Sequence, residues 1–261
     1  MQFILYCDMS SSNIPHIVIQ SSFNYHKMSM VGFGTGSTSS TIDTKEAVLE
    51  AIKIGYRHFD TASIYGSEQP LGEAIAEALQ LGLITSRDEL FITSKLWCTD
   101  NFPHLVLPAI HKTLRCHKLE NLLSFATIPP SVNQVEMNPT WQQKKLREYC
   151  QAKGIVITAY SPLGAPGTLW GSNYVVDNEL VKQIAKAHGK SFAQVSLRWL
   201  YEIGVTIVVK SYNKERMKQN IEIFDWALSK DDYDKIAQVK QHQLCKNGPT
   251  KFIENLYDGE N

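Results

Sequence analysis

His58-Phe59-Asp60-Thr61-Ala62-Ser63-Ile64-Tyr65-Gly66-Ser67-Glu68, followed by Phe91-Ile92-Thr93-Ser94-Lys95-Leu96-Trp97, twice carries a short apolar run into an ionisable residue. Parallel α/β barrels place their chemistry at the C-terminal ends of strands. A run that empties onto an acid, a phenol or an ammonium therefore reads as a barrel strand delivering a side chain to a site. Positive charge near a tyrosine favours phenolate and lowers a pKa that is otherwise about 10. On this reading Tyr65 is a general acid, tuned by Lys95 and held by Asp60.

Outward from these two runs, short β-branched or aromatic segments alternate with amphipathic ones, the rhythm of βα units. Six strands are predicted, at Met30–Gly34, Tyr56–Asp60, Leu90–Ser94, Val132–Glu136, Ile155–Tyr160 and Val205–Val209. Helical patterns cover Thr44–Ile54, Pro70–Leu79, Pro108–Ala126, Gln142–Lys153, Asn178–Glu202 with a break at Gly189, Lys214–Ile221 and Ser229–Val239. Ser229 with Asp231 and Asp232 reads as a capped helix start, since short acceptors and negative charge suit the unpaired amides there. A hairpin of Ile17–Gln20 and Lys27–Met30 is expected to close the bottom of the barrel.

The chain has 261 residues and 43% hydrophobic content, enough for one domain of the ~250-residue barrel class. Lys and Arg together number 26 against 26 Asp and Glu, with no basic run or acidic tail, so no electrostatic footprint for nucleic acid or anionic membrane is present. Cys7, Cys98, Cys116, Cys150 and Cys245 are odd in number, widely spaced and form no Cys-x-x-Cys pattern, which argues against a metal site and for a reducing, cytoplasmic setting. Met1–Cys7 is too short for a signal-peptide core, and no run of ~20 apolar residues occurs.

A parallel barrel of this size needs eight strands, and six are found. The apolar face of Pro108–Ala126 runs through Ile110 and Leu114, then slips to Leu119, Leu122, Leu123 and Ala126, so the helical phase breaks across Arg115–Lys118. Two readings stay open there: two helix fragments joined end to end, or an ordinary helix with a turn near Cys116.

The blocks Gly32-Phe33-Gly34-Thr35, HFDTASIYGSE, FITSKLW, VNQVEMNP (Val132–Pro139), ITAYSPLG (Ile157–Gly164) and VVKSYNKERMKQN (Val208–Asn220) occur in order and together resemble the aldo-keto reductase family. Leu71–Ile84, Ser86–Trp97 and Ile221–Leu228 are similar to its plant polyketide (chalcone) reductase and codeinone reductase branch. The resemblance implies an α/β fold of the (β/α)8 TIM-barrel type in one domain, with hydride transfer from NADPH to an aldehyde or ketone. Between Lys112-Thr-Leu-Arg-Cys116 and His117-Lys-Leu-Glu-Asn-Leu-Leu123 the family's fourth and fifth strands and the helix between them have no counterpart. The expected fold is thus an incomplete barrel of about six parallel strands, internally truncated near 116–117. At ~31 residues per unit the loss is roughly 60 residues. A skipped exon, a mispredicted gene model and a decayed duplicate all remain open as its origin.

By the same resemblance, three of the four catalytic positions are Asp60, Tyr65 and Lys95, while the family's histidine is missing. None of the eight histidines ends a strand at the right mouth, and His58 reads as a satisfied core residue. For NADP(H), the resemblance assigns Lys210 and Arg216 to the 2′-phosphate, and Ser211, Tyr212, Gln219 and Asn220 to the adenosine end. Tyr160 would lie under the nicotinamide, with Ser161, Leu163 and Gly164 along the pyrophosphate and Gln134 on the nicotinamide amide. Gly34 and Thr35 come from the first strand, and Asp60 counts on the cofactor side as well. Trp97, and with it Trp170, is either a pocket wall or packing. The implied partner is a small carbonyl substrate. The family implies a monomer, with association expected of a truncated form through its open strand edges. A chain that at most binds NADP(H) without turnover, or a barrel fragment kept as an interaction subunit, is the alternative.

Overall fold

The computed structural model describes residues 14–20, 25–36, 44–62, 65–95, 130–168 and 171–244. In chain order the strands are β1 (His16–Gln20), β2 (Tyr25–Ser29), β3 (Val31–Gly34), β4 (His58–Asp60), β5 (Phe91–Thr93), β6 (Val132–Glu136), β7 (Val156–Tyr160) and β8 (Thr206–Val209). The helices are α1 (Thr44–Ile54), α2 (Glu68–Gln80), α3 (Lys144–Ala152), α4 (Glu179–His188), α5 (Phe192–Glu202), α6 (Lys214–Ile221) and α7 (Lys230–Ala237). All six expected parallel strands and the antiparallel hairpin are present. The predicted Pro108–Ala126 helix, the 116–117 junction, Trp97 and Trp170 lie outside the described residues.

The boundaries that differ from the sequence reading have local causes. β4 starts at His58 because the Tyr56 amide is taken by Ala51 O at 3.0 Å, closing the end of α1. α3 starts after Gln143, whose φ of 51° is left-handed and cannot be helical. α2 starts two residues before Pro70, since proline's missing amide costs nothing in a first turn. The break between α4 and α5 falls at Gly189, φ 62°, where a left-handed C-cap is needed. Ser229 caps α7 reciprocally with Asp232.

Contacts divide the chain into two units, residues 1–100 with 206–225, and 101–205 with 226–261. In the first unit four strands pair in parallel in the order β5-β4-β3-β8, with Phe33 opposite Phe59 and Val209. Phe33, Tyr56 and Phe59 are wholly buried, and their rings meet edge-on or tilted at centroid distances of 5.7 and 6.0 Å from Phe33. Burying such side chains contributes about 1.5–3 kcal/mol each, which anchors the strand ends that carry Asp60 and Lys95. The Tyr56 phenol donates to Met217 O at 3.0 Å, tying α6 to this core. In the second unit β6 and β7 pair in parallel over five residues, from Val132–Val156 to Glu136–Tyr160. Among the described residues, no helix is long and apolar enough to cross a membrane.

Candidate active site

Three side chains of the first unit converge where the sequence reading placed its chemistry. Asp60 closes β4 with its carboxylate 6% exposed, and Lys95 follows β5 by two residues. Lys95 Nζ donates to Asp60 Oδ1 at 2.5 Å and to Thr61 O at 3.1 Å. The same ammonium stands over the Tyr65 ring, 5.2 Å from its centroid. Parallel pairing of Asp60 with Thr93 sets the two strand ends level, so a lysine two residues past β5 can reach back to the acid.

Tyr65 is 38% exposed, in a turn closed by its own amide on Ala62 O at 2.9 Å. Gly66 holds φ 64°, a left-handed conformation that any other side chain would strain. A Cβ on Gly36 would touch the tyrosine ring at 3.4 Å, so glycine there keeps the ring's flank open. Ser94 Oγ donates to Glu68 Oε1 at 2.6 Å, joining the tyrosine and lysine segments at the surface.

Thr35 is buried, its amide on Asp60 O at 2.9 Å, and its own carbonyl accepts from the Tyr212 phenol at 3.0 Å. Gly34 lacks a side chain because a Cβ would meet Val208 Cγ1 at 3.2 Å, so its smallness serves strand packing. Beyond β8, Lys210 Nζ sits 4.7 Å from the Tyr212 ring centroid. Burial first, then the like charge of Arg216, lower the lysine's pKa. Asn213 caps α6 through the Arg216 amide at 3.0 Å, and Ser211 Oγ accepts the Asn213 amide at 3.2 Å. Arg216 and Gln219 are exposed, Ser211 and Asn220 are buried, and Asn220 is bonded to the Tyr56 phenol.

The second unit carries the remaining positions. Gln134 is half-buried on β6, in register with Thr158, and Tyr160 ends β7, also half-buried. Ser161 at φ 49° and Ala165 at φ 49° adopt left-handed backbone without being glycine, which costs on the order of 1–3 kcal/mol each. Asn138, wholly buried, accepts from Thr140 and donates to Ser161 O at 3.4 Å, bracing that turn. Leu163 is half-buried, while Gly164 holds φ 79° with Ser172 O only 3.0 Å from where a Cβ would be. Strain of this kind persists only where the surrounding contacts hold the backbone in place.

The described histidines are all engaged elsewhere. His58 is enclosed, with Nε2 3.3 Å from Thr93 Oγ1, and Gly32 makes room for it, since a Cβ there would fall 2.6 Å from Nδ1. His188 bonds Asp232 at 2.8 Å, His242 stacks on Tyr174, and His16 and His26 belong to the hairpin. Among the described residues, no cluster of His, Cys, Asp and Glu could hold a metal ion. Thr61, Ser67 and Asn138 carry the local architecture and were not singled out by the sequence. Their polarity at a strand mouth was the only signal.

A family model described as the Aldo/keto reductase family matches residues 30–122 and 114–241. The NAD(P)H-dependent 6'-deoxychalcone synthase of Glycine max is 48% identical over 311 residues, covering 95% of this chain and 98% of the relative. The NADPH-dependent codeinone reductase 1-4 of Papaver somniferum is 44% identical over 321 residues, covering 96% and 99%. Both aligned stretches are longer than the 261 residues of the chain, so each crosses positions with no residue here. A Bombyx mori aldo-keto reductase solved in complex with NADP superposes with a TM-score of 0.74 at 29% identity, covering 87% of this chain and 94% of that one.

Proposed function

The chain belongs to the aldo/keto reductase family, and on that footing we propose that it reduces a small aldehyde or ketone with NADPH, Tyr65 giving the proton. The observation that carries this reading is the Lys95 ammonium, bonded to Asp60 and held over the Tyr65 ring. A phenol beside a fixed positive charge can release its proton to a carbonyl oxygen and carry the resulting negative charge, because the ammonium stabilises it. Asp60 keeps the lysine from swinging to solvent, and the buried carboxylate is neutralised by the same contact.

The residues beyond β8 suit the cofactor. Lys210 is buried enough, and Arg216 close enough, to lower the lysine's pKa, an arrangement that a phosphate dianion would relieve. The free amides at the start of α6 add positive potential on the same side. Lys210 and Arg216 would hold the 2′-phosphate, with Ser211, Tyr212 and Gln219 beside it. Asn220 would act by fixing Tyr56 and α6 from beneath. Tyr160 and the Ser161–Gly164 turn, with Gln134, would meet the nicotinamide half. When bound, NADPH supplies the hydride.

The internal truncation belongs to this proposal. Two family matches that meet at 114–122, and alignments longer than the chain, support a loss of roughly 60 residues, two βα units' worth, near 116–117. That loss favours a second reading, an NADP(H)-binding chain with little turnover, since the histidine that the family resemblance implies has no counterpart in the sequence to orient a carbonyl. Steady-state oxidation of NADPH with an aromatic aldehyde decides between them. The first reading expects turnover that falls about 10²–10⁴-fold in Tyr65→Phe. Saturable NADPH binding with no turnover selects the second, and full activity in Tyr65→Phe rejects Tyr65 as donor.

A further inference from the structure

Ser67 stands at the N-cap of α2, where a serine ordinarily accepts from the helix's own first amides. Its side chain makes no such bond. Instead the residue is 3% exposed, and its hydroxyl lies 2.8 Å from Thr35 Oγ1 and 2.8 Å from Thr61 Oγ1. Thr35 Oγ1 donates to Asp60 O at 3.1 Å.

Each hydroxyl has a single proton, so that last bond sets the direction of the others. With the Thr35 proton on Asp60 O, Ser67 must donate to Thr35, and Thr61 to Ser67. The chain Thr61→Ser67→Thr35→Asp60 O leaves every proton used. It links the end of β3, the end of β4 and the first residue of the segment beyond Tyr65-Gly66. Both groups that hold the Lys95 ammonium, the Asp60 carboxylate and Thr61 O, belong to residues in this chain of bonds. All three hydroxyls are buried, so water offers no ready substitute for a lost partner.

We propose that Ser67 is the positioning residue for Tyr65, its hydroxyl pinning the Tyr65-Gly66 turn to the strand ends that carry Lys95 and Asp60. The assignment rests on Tyr65 as the proton donor. Gly66 supplies the freedom to make the turn, and the same freedom would let the phenol wander were nothing to hold the residue after it. A serine that served only as a cap would point at the amides of α2. This one gives up the cap to reach the strands.

Three variants of the full chain test the assignment: Ser67→Ala, Ser67→Thr and Tyr65→Phe, each read by kcat, KM, NADPH affinity and amide hydrogen exchange. Ser67→Ala should lower kcat about 10- to 100-fold through misplacement of the phenol, with KM and NADPH affinity held within about twofold. Exchange at the Tyr65 amide, which is held on Ala62 O, should rise at least about tenfold on loss of the pin. Protection at Ile207, held on Met30 O in the neighbouring strands, should stay as it was. Ser67→Thr keeps the hydroxyl and should restore both kcat and Tyr65 protection. A Ser67→Ala chain with parental kcat, where Tyr65→Phe has lost it, overturns the proposal, as does a loss that Ser67→Thr fails to restore. If Tyr65→Phe turns over like the parent, or the parent has no turnover, the exchange comparison decides alone: unchanged Tyr65 protection in Ser67→Ala overturns the pin.

Discussion

Lys95 and Lys210 each follow a parallel strand of the same unit, and their surroundings are opposite. Lys95 is spoken for: its ammonium closes on the buried Asp60 carboxylate at 2.5 Å and on Thr61 O. Lys210 has another cation, Arg216, as the charge that acts on it, a phenol ring beneath it, and no carboxylate partner among the described residues. The first arrangement is neutral within the protein and complete before any ligand arrives, which suits the role proposed for Lys95 beside Tyr65. The second is a surplus of positive charge, costly by itself and relieved by an anion. Residue type does not separate the two; what each preceding strand delivers beside it does.

The widest test of that contrast is to remove each ammonium in turn. Lys95→Met leaves Asp60 buried without its cation, and breaking such a pair costs about 3–5 kcal/mol. Lys210→Met removes a charge that repels Arg216 and gives up a half-exposed contact with the Tyr212 ring, two small and opposed effects, and unfolding in urea should shift by no more than about 0.5 kcal/mol. Equal losses in the two variants would break the comparison.

Much of this was legible beforehand because the strand mouths announce themselves. HFD and FIT are buried or half-buried runs that stop at Asp60 and just short of Lys95, and period alone places both at one rim. The α6 cluster was legible as an ordered set of residue types rather than from any one of them. Three features were not. Ser67 looks like a routine helix cap, and only the positions of Thr35 and Thr61, distant or separate in sequence, turn it elsewhere. The tight fit at Gly34 is set by Val208, far away in sequence, whose Cγ1 lies 3.2 Å from where a Cβ would be. The left-handed turn at Ser161 has its carbonyl held by Asn138 and by the Gly164 amide, which no single-residue preference encodes.

His58 sharpens the contrast from within. Its ring lies two residues below Asp60 on β4, and burial pushes its pKa down to about 4. Asp60 and then a hydrogen bond to the Ser29 backbone raise that value and Lys95 lowers it by less, so Lys95 offsets part of the acid's field at the imidazole and burial decides. A histidine held neutral in the fold is protonated in the unfolded chain below about pH 6.5. Its contribution is therefore complete above that pH and is lost as pH falls toward 4, by at most about 3 kcal/mol. Denaturation followed from pH 7 to 4 should show that decline, and His58→Leu should flatten it. In Lys95→Met the uncancelled Asp60 should raise the His58 pKa and weaken the decline; an identical acid limb in that variant would show that the pair's field does not reach the ring.

The smallest effect falls at the open pair. If Lys210 and Arg216 await a phosphate, losing either should weaken NADPH by about 1.5–3 kcal/mol, the range of a charge-assisted contact, and leave NADH nearly untouched. Arg216→Ala is the cleaner variant, since Arg216 is exposed and its side chain supports no core contact among the described residues. Removing it also lifts a like charge that acts on Lys210, so part of the loss is returned as relieved repulsion. The two single losses should then sum to less than the loss in the double variant, because each remaining cation holds the phosphate unopposed. Added salt should erode NADPH affinity more than NADH affinity in the parent and by the same small amount in the double variant. Equal affinity for both dinucleotides in the parent would mean that this surplus charge answers some other anion, and the contrast with Lys95 would survive as electrostatics without its functional meaning.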